Sequence, residues 1–325
     1  MATPLDSVTR PGPRTVSVVV PVYFNAEALP ELFERLCAVE AELAARDLAL
    51  ELIFVDDGSK DASQAELQKI RERRPATTVI ELTRNFGVNA ALRTGLRFVT
   101  GDCFAFLAAD LQDPPHLVVD MVDRWLEGSQ FVICERVTRD DPPMSRWLSR
   151  IYYFTLRKLV LPGYPAGGFD LALMDRSMLA PLRDSGKSAF LPLLAYWLGF
   201  EPSVLPYRRE IRRHGRSRWT LRKKLQAFFD VLFGFSVTPI RAISAVGAVV
   251  SLVSFAYGAV VVAAALIGNV PVRGFSTIVA LVTFLLGLLI LMLGVIGEYL
   301  WRVFDATNGR PDAVVKEVHE RKEYP

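Results

Sequence analysis

Only three cysteines and three histidines occur in 325 residues. Cys37, Cys103 and Cys134 form no CxxC pair, and His116, His214 and His319 stand far apart in sequence. A disulfide framework and a His/Cys zinc site therefore lose support, and the thiols suit a reducing compartment. No GxGxxG follows the first apolar run and GxxxxGK[ST] occurs nowhere, which argues against Rossmann dinucleotide and P-loop chemistry. No export signal is expected either, because MATPLDSVTRPGPR is polar and the apolar run Val16 to Val20 is too short for a signal core. Charge of one sign is not in excess: 38 Lys and Arg face 35 Asp and Glu, for a net +3. The basic concentration between Arg208 and Arg241 reads as a local patch, so a nucleic-acid partner is not expected.

What the chain has in quantity is apolar surface. Hydrophobic residues make up 51%, charged residues 22%, and the mean hydropathy is +0.26, too high for disorder and unusual for a soluble protein. Ala242 to Val272 carries no charge, and neither does Gly274 to Gly297. A spanning helix needs about 20 apolar residues. Gly268, Asn269, Pro271 and Gly274 break the run, so a two-helix transmembrane hairpin is expected within 239–300, with spans at 242–267 and 275–297. RREIRRHGRSRWTLRKK precedes the first span and only Arg273 lies in the connecting loop, which places both termini in the cytoplasm. Ser145 to Leu161 and Trp219 to Phe235 mix aromatics, leucines and cations as interfacial helices do, and the second is expected as an amphipathic helix over 219–238.

Upstream, strand-like and helix-like patterns alternate: TVSVVVPVY, an amphipathic stretch over 28–46, LELIFVD, 62–73, TTVIEL, a helix ending near Val99, then CFAFLAAD and QFVICE. Short, continuously apolar, β-branched runs between helical patterns predict an α/β domain over 15–218 with a mostly parallel sheet covered by helices on both faces. A polar tail over 1–14 precedes it, and a C-terminal tail over 301–325 follows the spans. In such folds ligands sit at the carboxyl ends of the strands. Those ends are polar here. Strand one closes in Pro21, Tyr23 and Asn25 with Glu27 just after, strand two in Asp56, Asp57, Gly58 and Ser59, and strand four in Asp110, Gln112 and Asp113. Acids so placed can accept hydrogen bonds from a base or ribose, and an oxygen pair such as Asp110 and Gln112 can hold Mg²⁺ or Mn²⁺. DDGS also suits a plain turn whose Asp caps the next helix.

Taken in order, PVYFNxE, DDGS, RNFG (Arg84 to Gly87), ADLQDPP, GGFDLALMDR (Gly167 to Arg176), RxxGxSRW (Arg212 to Trp219) and GEYLWR resemble glycosyltransferase family 2, with its GT-A-type catalytic domain. The basic segment and helical hairpin resemble its polyprenyl-phosphate glycosyltransferases, of the dolichol-phosphate mannose synthase and bacterial undecaprenyl-phosphate glucosyltransferase kind. The resemblance covers residues 15–310. It implies transfer of a sugar, with inversion, from a nucleotide sugar to a polyprenyl phosphate at the cytoplasmic face of a bacterial inner membrane. UDP-glucose or UDP-N-acetylglucosamine as donor and undecaprenyl phosphate as acceptor are the expected pair, giving a lipid-linked monosaccharide for cell-envelope glycan modification.

The resemblance also implies roles. Pro21, Tyr23, Asn25, Glu27, Asp56, Asp57, Arg84 and Gly87 line the nucleotide-sugar pocket; Asp110 and Gln112 hold Mg²⁺ or Mn²⁺; Asp170, with Asp110, is catalytic; Arg136, Arg212, Ser217 and Arg218 meet phosphates. Membrane lipids are expected partners, and relatives of this architecture imply a homo-oligomer. Two positions depart from the family pattern. Ala108-Ala109-Asp110 stands where DAD is common, and Asn25-Ala26-Glu27 where NEE is common. A processive polysaccharide synthase is the alternative within the superfamily, but RW at Arg124, Arg146 and Arg218 has no Gln three residues earlier. An inactive membrane scaffold or a lipid-binding partner of a flippase is the alternative outside it.

Overall fold

The computed structural model describes residues 14–137, 153–158, 160–165, 167–187, 189–210, 236, 238–267 and 275–321. Arg212, Ser217 and Arg218, the loop around Asn269, and the expected interfacial helix over 219–238 apart from Ser236 and Thr238 lie outside the described residues. So does the 1–14 tail except Arg14; of Ser145 to Leu161, residues 153–158 are described as helix.

Among the described residues, eight strands and eight helices follow one another as β1 (Arg14–Val22), α1 (Leu29–Ala44), β2 (Leu48–Asp56), α2 (Ser63–Arg73), β3 (Thr77–Leu82), α3 (Val88–Leu96), β4 (Cys103–Phe106), α4 (Leu117–Leu126), β5 (Phe131–Arg136), β6 (Ala172–Asp175), α5 (Leu179–Arg183), α6 (Leu191–Trp197), β7 (Pro202–Tyr207), α7 (Thr238–Leu266), α8 (Phe275–Thr307) and β8 (Val315–His319), leaving aside the short turn of 3₁₀ helix at Arg176–Met178 and the 153–158 helix. The strands form one sheet in the order β7-β5-β6-β4-β1-β2-β3-β8. Its centre, β4-β1-β2-β3, is parallel. β6 runs antiparallel to both β4 and β5, β7 lies parallel to β5, and β8 runs antiparallel to β3.

Continuous apolar runs make the central strands because both faces are covered. Val16, Val18, Val19 and Val20 are all at 0% exposure. Even-numbered β1 valines pack with α1, α2 and α4; α1 reaches them through Leu29, Leu32, Phe33, Leu36, Val39 and Leu43, spaced at helical period. α3 covers the other face. At Gly95 an added Cβ would run into Val19 Cγ1 and come within 3.1 Å of Val55 Cγ2, so glycine is what lets this helix sit close to the sheet. Helices on both faces match the expectation from the sequence. Strands β6, β7 and β8 were not expected: β6 is only four residues long, and β8, VKEVH, is polar as an edge strand must be. The segment expected as a tail after 301 thus carries the end of α8, which runs past the expected 297 to Thr307, and then the edge strand β8.

The chain divides into two compact units. The sheet unit includes Pro311–Pro325; α7 and α8 belong to the other, with Thr155–Pro162. At about 1.5 Å per residue, the 29 residues of α7 and 33 of α8 extend about 43 and 50 Å. They touch where Gly247 faces the Met292 side chain. Their surfaces are apolar and open: Val249 is 62% exposed, Leu252 72% and Ile290 67%. Water does not tolerate contiguous apolar area on this scale, which supports membrane association. Phe284–Thr307 alone among the described helices is long and apolar enough to cross a bilayer by length and composition.

At the amino-terminal edge of the parallel strands, Glu51 is a buried polar staple, 4% exposed. One oxygen accepts the Ser17 hydroxyl at 2.5 Å and Thr100 N–H at 2.9 Å; the other accepts the Thr100 hydroxyl at 2.7 Å and Arg321 at 3.0 Å. Glu51→Gln replaces an all-acceptor group by one that points N–H donors at donors. It is expected to cost about 1–3 kcal/mol of stability, and Arg321→Ala, at a partly exposed partner, about 1 kcal/mol or less. Unfolding of the detergent-solubilised chain followed by tryptophan fluorescence checks this; equal midpoints for Glu51→Gln and the parent would refute it.

Candidate active site

β1 and β4 part company where the sequence has Pro21. Odd-numbered β1 residues face β4: Val19 pairs with Phe106, and its carbonyl accepts Leu107 N–H at 3.1 Å. Pro21 has no N–H to continue that ladder, and β4 has ended. On the other side β1 still pairs β2 as far as Val22 with Asp56. The chain order 3-2-1-4 reverses at this boundary, and the crevice between diverging strand ends is where doubly wound sheets hold ligands. Phe24 (φ 57°) and Leu111 (φ 59°), two of the three described non-glycine residues with positive φ, lie just beyond these two strands. Such conformations cost about 1–3 kcal/mol and concentrate at functional sites.

The β1 and β2 loops are sewn together by side chains. Phe24 N–H donates to the Ser59 hydroxyl at 3.0 Å, Asn25 N–H to the Ser63 hydroxyl at 2.9 Å, and Tyr23 N–H to the Asn25 side-chain oxygen at 2.9 Å. Tyr23 and Phe24 rings meet edge to face at 4.7 Å. Glu27 is exposed before α1. Asp56 accepts Ser59 N–H at 3.1 Å. Asp57 does not cap the helix that follows it; its two oxygens accept the Phe86 and Gly87 N–H groups at 2.7 and 2.9 Å, ordering the loop that leads into α3. Burial pushes both carboxyls up, and these hydrogen bonds pull them back toward ionisation. Gly58, at φ +68°, lies directly against that loop, since a Cβ there would stand 2.5 Å from the Arg84 carbonyl carbon and 2.9 Å from Asn85 N. Arg84 itself is exposed, with its guanidinium 4.7 Å over the Phe86 ring. Tyr23, Asn25, Asp56, Asp57, Arg84 and Gly87 therefore belong to one connected rim.

Beyond β4, Asp110 accepts Gln112 N–H at 3.2 Å across the strained Leu111, and the Gln112 carbonyl accepts Glu210 N–H at 2.9 Å. Glu210 follows β7, so β4 and β7 are joined through this contact. The register carries the rest of the site to the same edge: Phe106 pairs Ala172, Ala172 pairs Ile133, and Arg136 pairs Tyr207. Asp170, just before β6, forms an ion pair with Arg136, and its Oδ2 lies 3.8 Å from Arg209 Nη2. Glu135 holds the Asp170 loop by accepting Gly167 N–H at 3.0 Å. Asp113, 1% exposed, accepts the Tyr207 hydroxyl at 2.5 Å, and Tyr207 accepts Arg136 Nε–H at 3.3 Å. Burial first, then Asp113, raises the Tyr207 phenol; burial opposes the Arg136 charge, but Tyr207 and Asp113 more than offset it.

The structure thus pairs two residues with separate expected roles, Arg136 toward phosphate and Asp170 in catalysis. It adds Tyr207, Arg209, Glu135 and Glu210, and it turns Asp113, a strand-end acid, inward to Tyr207. As a strand, PSVLPY puts Tyr207 at its carboxyl end and Arg209 just beyond, the same position as the acids of the other strand ends. Cys134, one step from this cluster, is pushed by burial to about 12 and offers no thiolate near neutral pH. A separate cleft of about 560 Å³ is lined by Arg93, Arg97, Arg183 and Lys187. Arg93 there is paired with Asp312 and Arg183 with Asp184, so two of these four cations are compensated within the cleft.

Residues 17–182 match the glycosyl transferase family 2 profile. An uncharacterized glycosyltransferase of Synechocystis is 30% identical over 305 residues, covering 93% of this chain and 95% of that one. The SfII prophage-derived bactoprenol glucosyl transferase of Shigella flexneri is 28% identical over 94% of this chain and 98% of its own length. The undecaprenyl-phosphate 4-deoxy-4-formamido-L-arabinose transferase of Pseudomonas aeruginosa is 32% identical over 93% and 90%. With the profile matched over half of the chain and the strand-end motifs assembled at one sheet edge, the chain belongs to glycosyl transferase family 2.

Proposed function

We propose that the protein transfers a sugar from a nucleotide diphosphate donor to the phosphate of a membrane polyprenol, inverting the anomeric carbon. The observation that carries this reading is the division of one sheet edge into two chemically distinct halves. Around β1, β2 and β3 an acidic, hydrogen-bonded rim suits a nucleotide; around β5, β6 and β7 arginines beside Asp170 suit phosphate and sugar. The polyprenyl acceptors in the names of the Shigella and Pseudomonas relatives support the acceptor class, as do the exposed apolar helices in the same chain. UDP-glucose or UDP-N-acetylglucosamine is the favoured donor and undecaprenyl phosphate the favoured acceptor. We place the reaction on the cytoplasmic side of a bacterial inner membrane, with α7 and α8 as a hairpin.

In the transfer, an acceptor phosphate oxygen attacks the anomeric carbon, the bond from that carbon to the donor diphosphate breaks, and the nucleoside diphosphate leaves with the electron pair. A phosphate monoester has its second pKa near 6, so the nucleophile is already anionic and alignment and charge matter more than proton removal. Arg136, with Arg212, Ser217 and Arg218, is assigned to phosphate; Asp170 orients the sugar; Pro21, Tyr23, Asn25, Glu27, Asp56, Asp57, Arg84 and Gly87 form the nucleotide side.

Asp110 and Gln112 supply one carboxylate and one amide oxygen, hard donors that fit Mg²⁺ or Mn²⁺ only if donor phosphates and water complete the shell. Among the described residues no group of three His, Cys, Asp or Glu could hold an ion unaided, which fits a donor-completed site. Such an ion, when bound, neutralises charge on the departing diphosphate.

Purified protein given labelled nucleotide sugars and undecaprenyl phosphate should yield an organic-soluble product that depends on divalent metal. Asp110→Asn should lower turnover at least about 100-fold with the fold intact, on the scale set by losing one preorganised charge interaction. Full turnover in excess chelator, or an Asp110→Asn variant as active as the parent, would sink the metal assignment. Gly58→Ala should displace the Arg84 loop, raising the donor KM with the acceptor KM unchanged; an unaltered donor KM would separate that loop from the nucleotide. For topology, reporters after Pro325 and near Asn269 should fall on opposite sides of the membrane. Finding both in the cytoplasm would remove the hairpin.

A further inference from the structure

Two guanidinium groups meet one exposed carboxylate at the ends of β5, β6 and β7. Asp170 is 51% exposed, whereas its ion-pair partner Arg136 is 15% exposed and Arg209, 3.8 Å from the same oxygen, 30%. Behind both cations lies Asp113, 2% exposed at its side chain, which accepts the Tyr207 hydroxyl at 2.5 Å and stands 3.6 Å from Arg209 Nε. Tyr207 accepts Arg136 Nε–H from the other side. One buried carboxylate thus anchors Arg136 through one phenol and pairs its charge directly with Arg209.

The two carboxylates of this cluster are not equivalent. Asp113 is locked in the interior and cannot leave without stranding the phenol and Arg209. Asp170 sits on a loop in open solvent, after Gly168 at φ +64°, and its contacts to both arginines are made at its exposed end. With Asp170 in place, two cations face two anions. With it withdrawn, Arg136 and Arg209 carry one positive charge in excess and present planar forks toward the same point, an arrangement that matches the oxygens of a phosphate.

We propose that Arg136 and Arg209 form a phosphate clamp in which the Asp170 carboxylate is the resident stand-in anion, and that Tyr207, anchored on Asp113, is the positioning residue that holds the clamp in shape. The substrate side of this inference rests on the transferase reading above, and the phosphate is either the acceptor monoester or the donor diphosphate. Its arrival exchanges one anion for another: the arginines pass to phosphate, and the carboxylate is released toward the sugar only once phosphate is present.

Inorganic pyrophosphate, titrated into the detergent-solubilised full chain while the unfolding midpoint is followed, tests the clamp without turnover. The midpoint of the parent should rise with pyrophosphate. Arg209→Gln and Arg136→Gln should weaken the apparent affinity about tenfold or more, and Tyr207→Phe about three- to tenfold, the ranges expected for charged and neutral hydrogen bonds. Arg209→Lys, which keeps charge but not the fork, should recover only part. Asp170→Asn should act in the opposite direction and tighten pyrophosphate binding, while Asp184→Asn, at an ion pair elsewhere, should leave it unchanged. A purely structural role for Tyr207 would lower the midpoint in the absence of anion without altering the dose response. Should Tyr207→Phe fail to fold, Asp113→Asn, which keeps an acceptor for the phenol but loses the charge beside Arg209, carries the same expectation of weaker binding.

Steady-state kinetics then separate the two phosphate sources. A rise confined to the KM for undecaprenyl phosphate in Arg209→Gln assigns the clamp to the acceptor, and one confined to the nucleotide sugar assigns it to the donor. Unchanged pyrophosphate affinity in Arg209→Gln and Tyr207→Phe, or weaker binding in Asp170→Asn, overturns the clamp. If the parent makes no lipid-linked sugar with any donor, the transferase reading fails while the pyrophosphate result still decides the clamp.

Discussion

A missing amide hydrogen at Pro21 sets the boundary on which the site depends. β1 lies between β4 and β2, and its ladder toward β4 stops at Val19 because the next residue facing that side cannot donate and β4 ends at Phe106. Toward β2 pairing continues to Asp56. The resulting asymmetry opens one side of β1 while the other stays zipped, so the loops after β1 and β2 can be tied by Ser59, Ser63 and Asn25 while the loop after β4 turns away through Leu111. A non-proline residue in the same place would add a donor without a strand partner, which solvent, a ligand or another group would have to satisfy.

Sequence patterns carried the centre of the fold and missed its flanks, for physical reasons. Continuous apolar strands such as TVSVVV are apolar because both faces are buried, and that property is local enough to read in one dimension. β6, β7 and β8 owe their existence to neighbours: four residues at Ala172–Asp175 are held between β4 and β5, and polar VKEVH is held by β3 from the far end of the chain. No local pattern announces strands of that kind. The candidate site divides along the same line. Asp56, Asp57 and Asp110 stand at the ends of legible strands, so their place at the sheet edge was visible. Tyr207 and Arg209 follow a strand that was not legible, so their meeting with Arg136 and Asp170 emerges only from pairing.

Asp57 shows that spacing can fix where an acid stands without fixing what it binds. An acid at a strand end can accept bonds from a ligand or from its own backbone, and spacing alone does not choose. The choice is made by Gly58, whose lack of a Cβ admits the Arg84 backbone and brings the Phe86 and Gly87 N–H groups to the carboxylate. The acid then shapes the loop carrying Arg84 and Phe86 as well as contributing charge to the rim, and DDGS and RNFG work as one unit although 25 or so residues part them, a loop closure whose entropic cost grows only slowly with length.

On the proposed reading, the acceptor's long hydrocarbon chain needs little recognition by the sheet unit. Each buried methylene is worth about 0.8 kcal/mol, and a polyprenol already gains that in the bilayer. What remains to be recognised at the site is a compact anion at the end of a chain held in a plane, and that is a task for arginines with fixed geometry. Fixing them is costly in isolation, because two half-buried cations close together repel each other and lose part of their hydration. The buried Asp113 offsets both penalties at once through Tyr207 and Arg209, and the solvent-exposed Asp170 supplies the remaining charge in a form that can be withdrawn. The position of each carboxylate, one sealed and one open, therefore decides which can be exchanged for a substrate and which cannot.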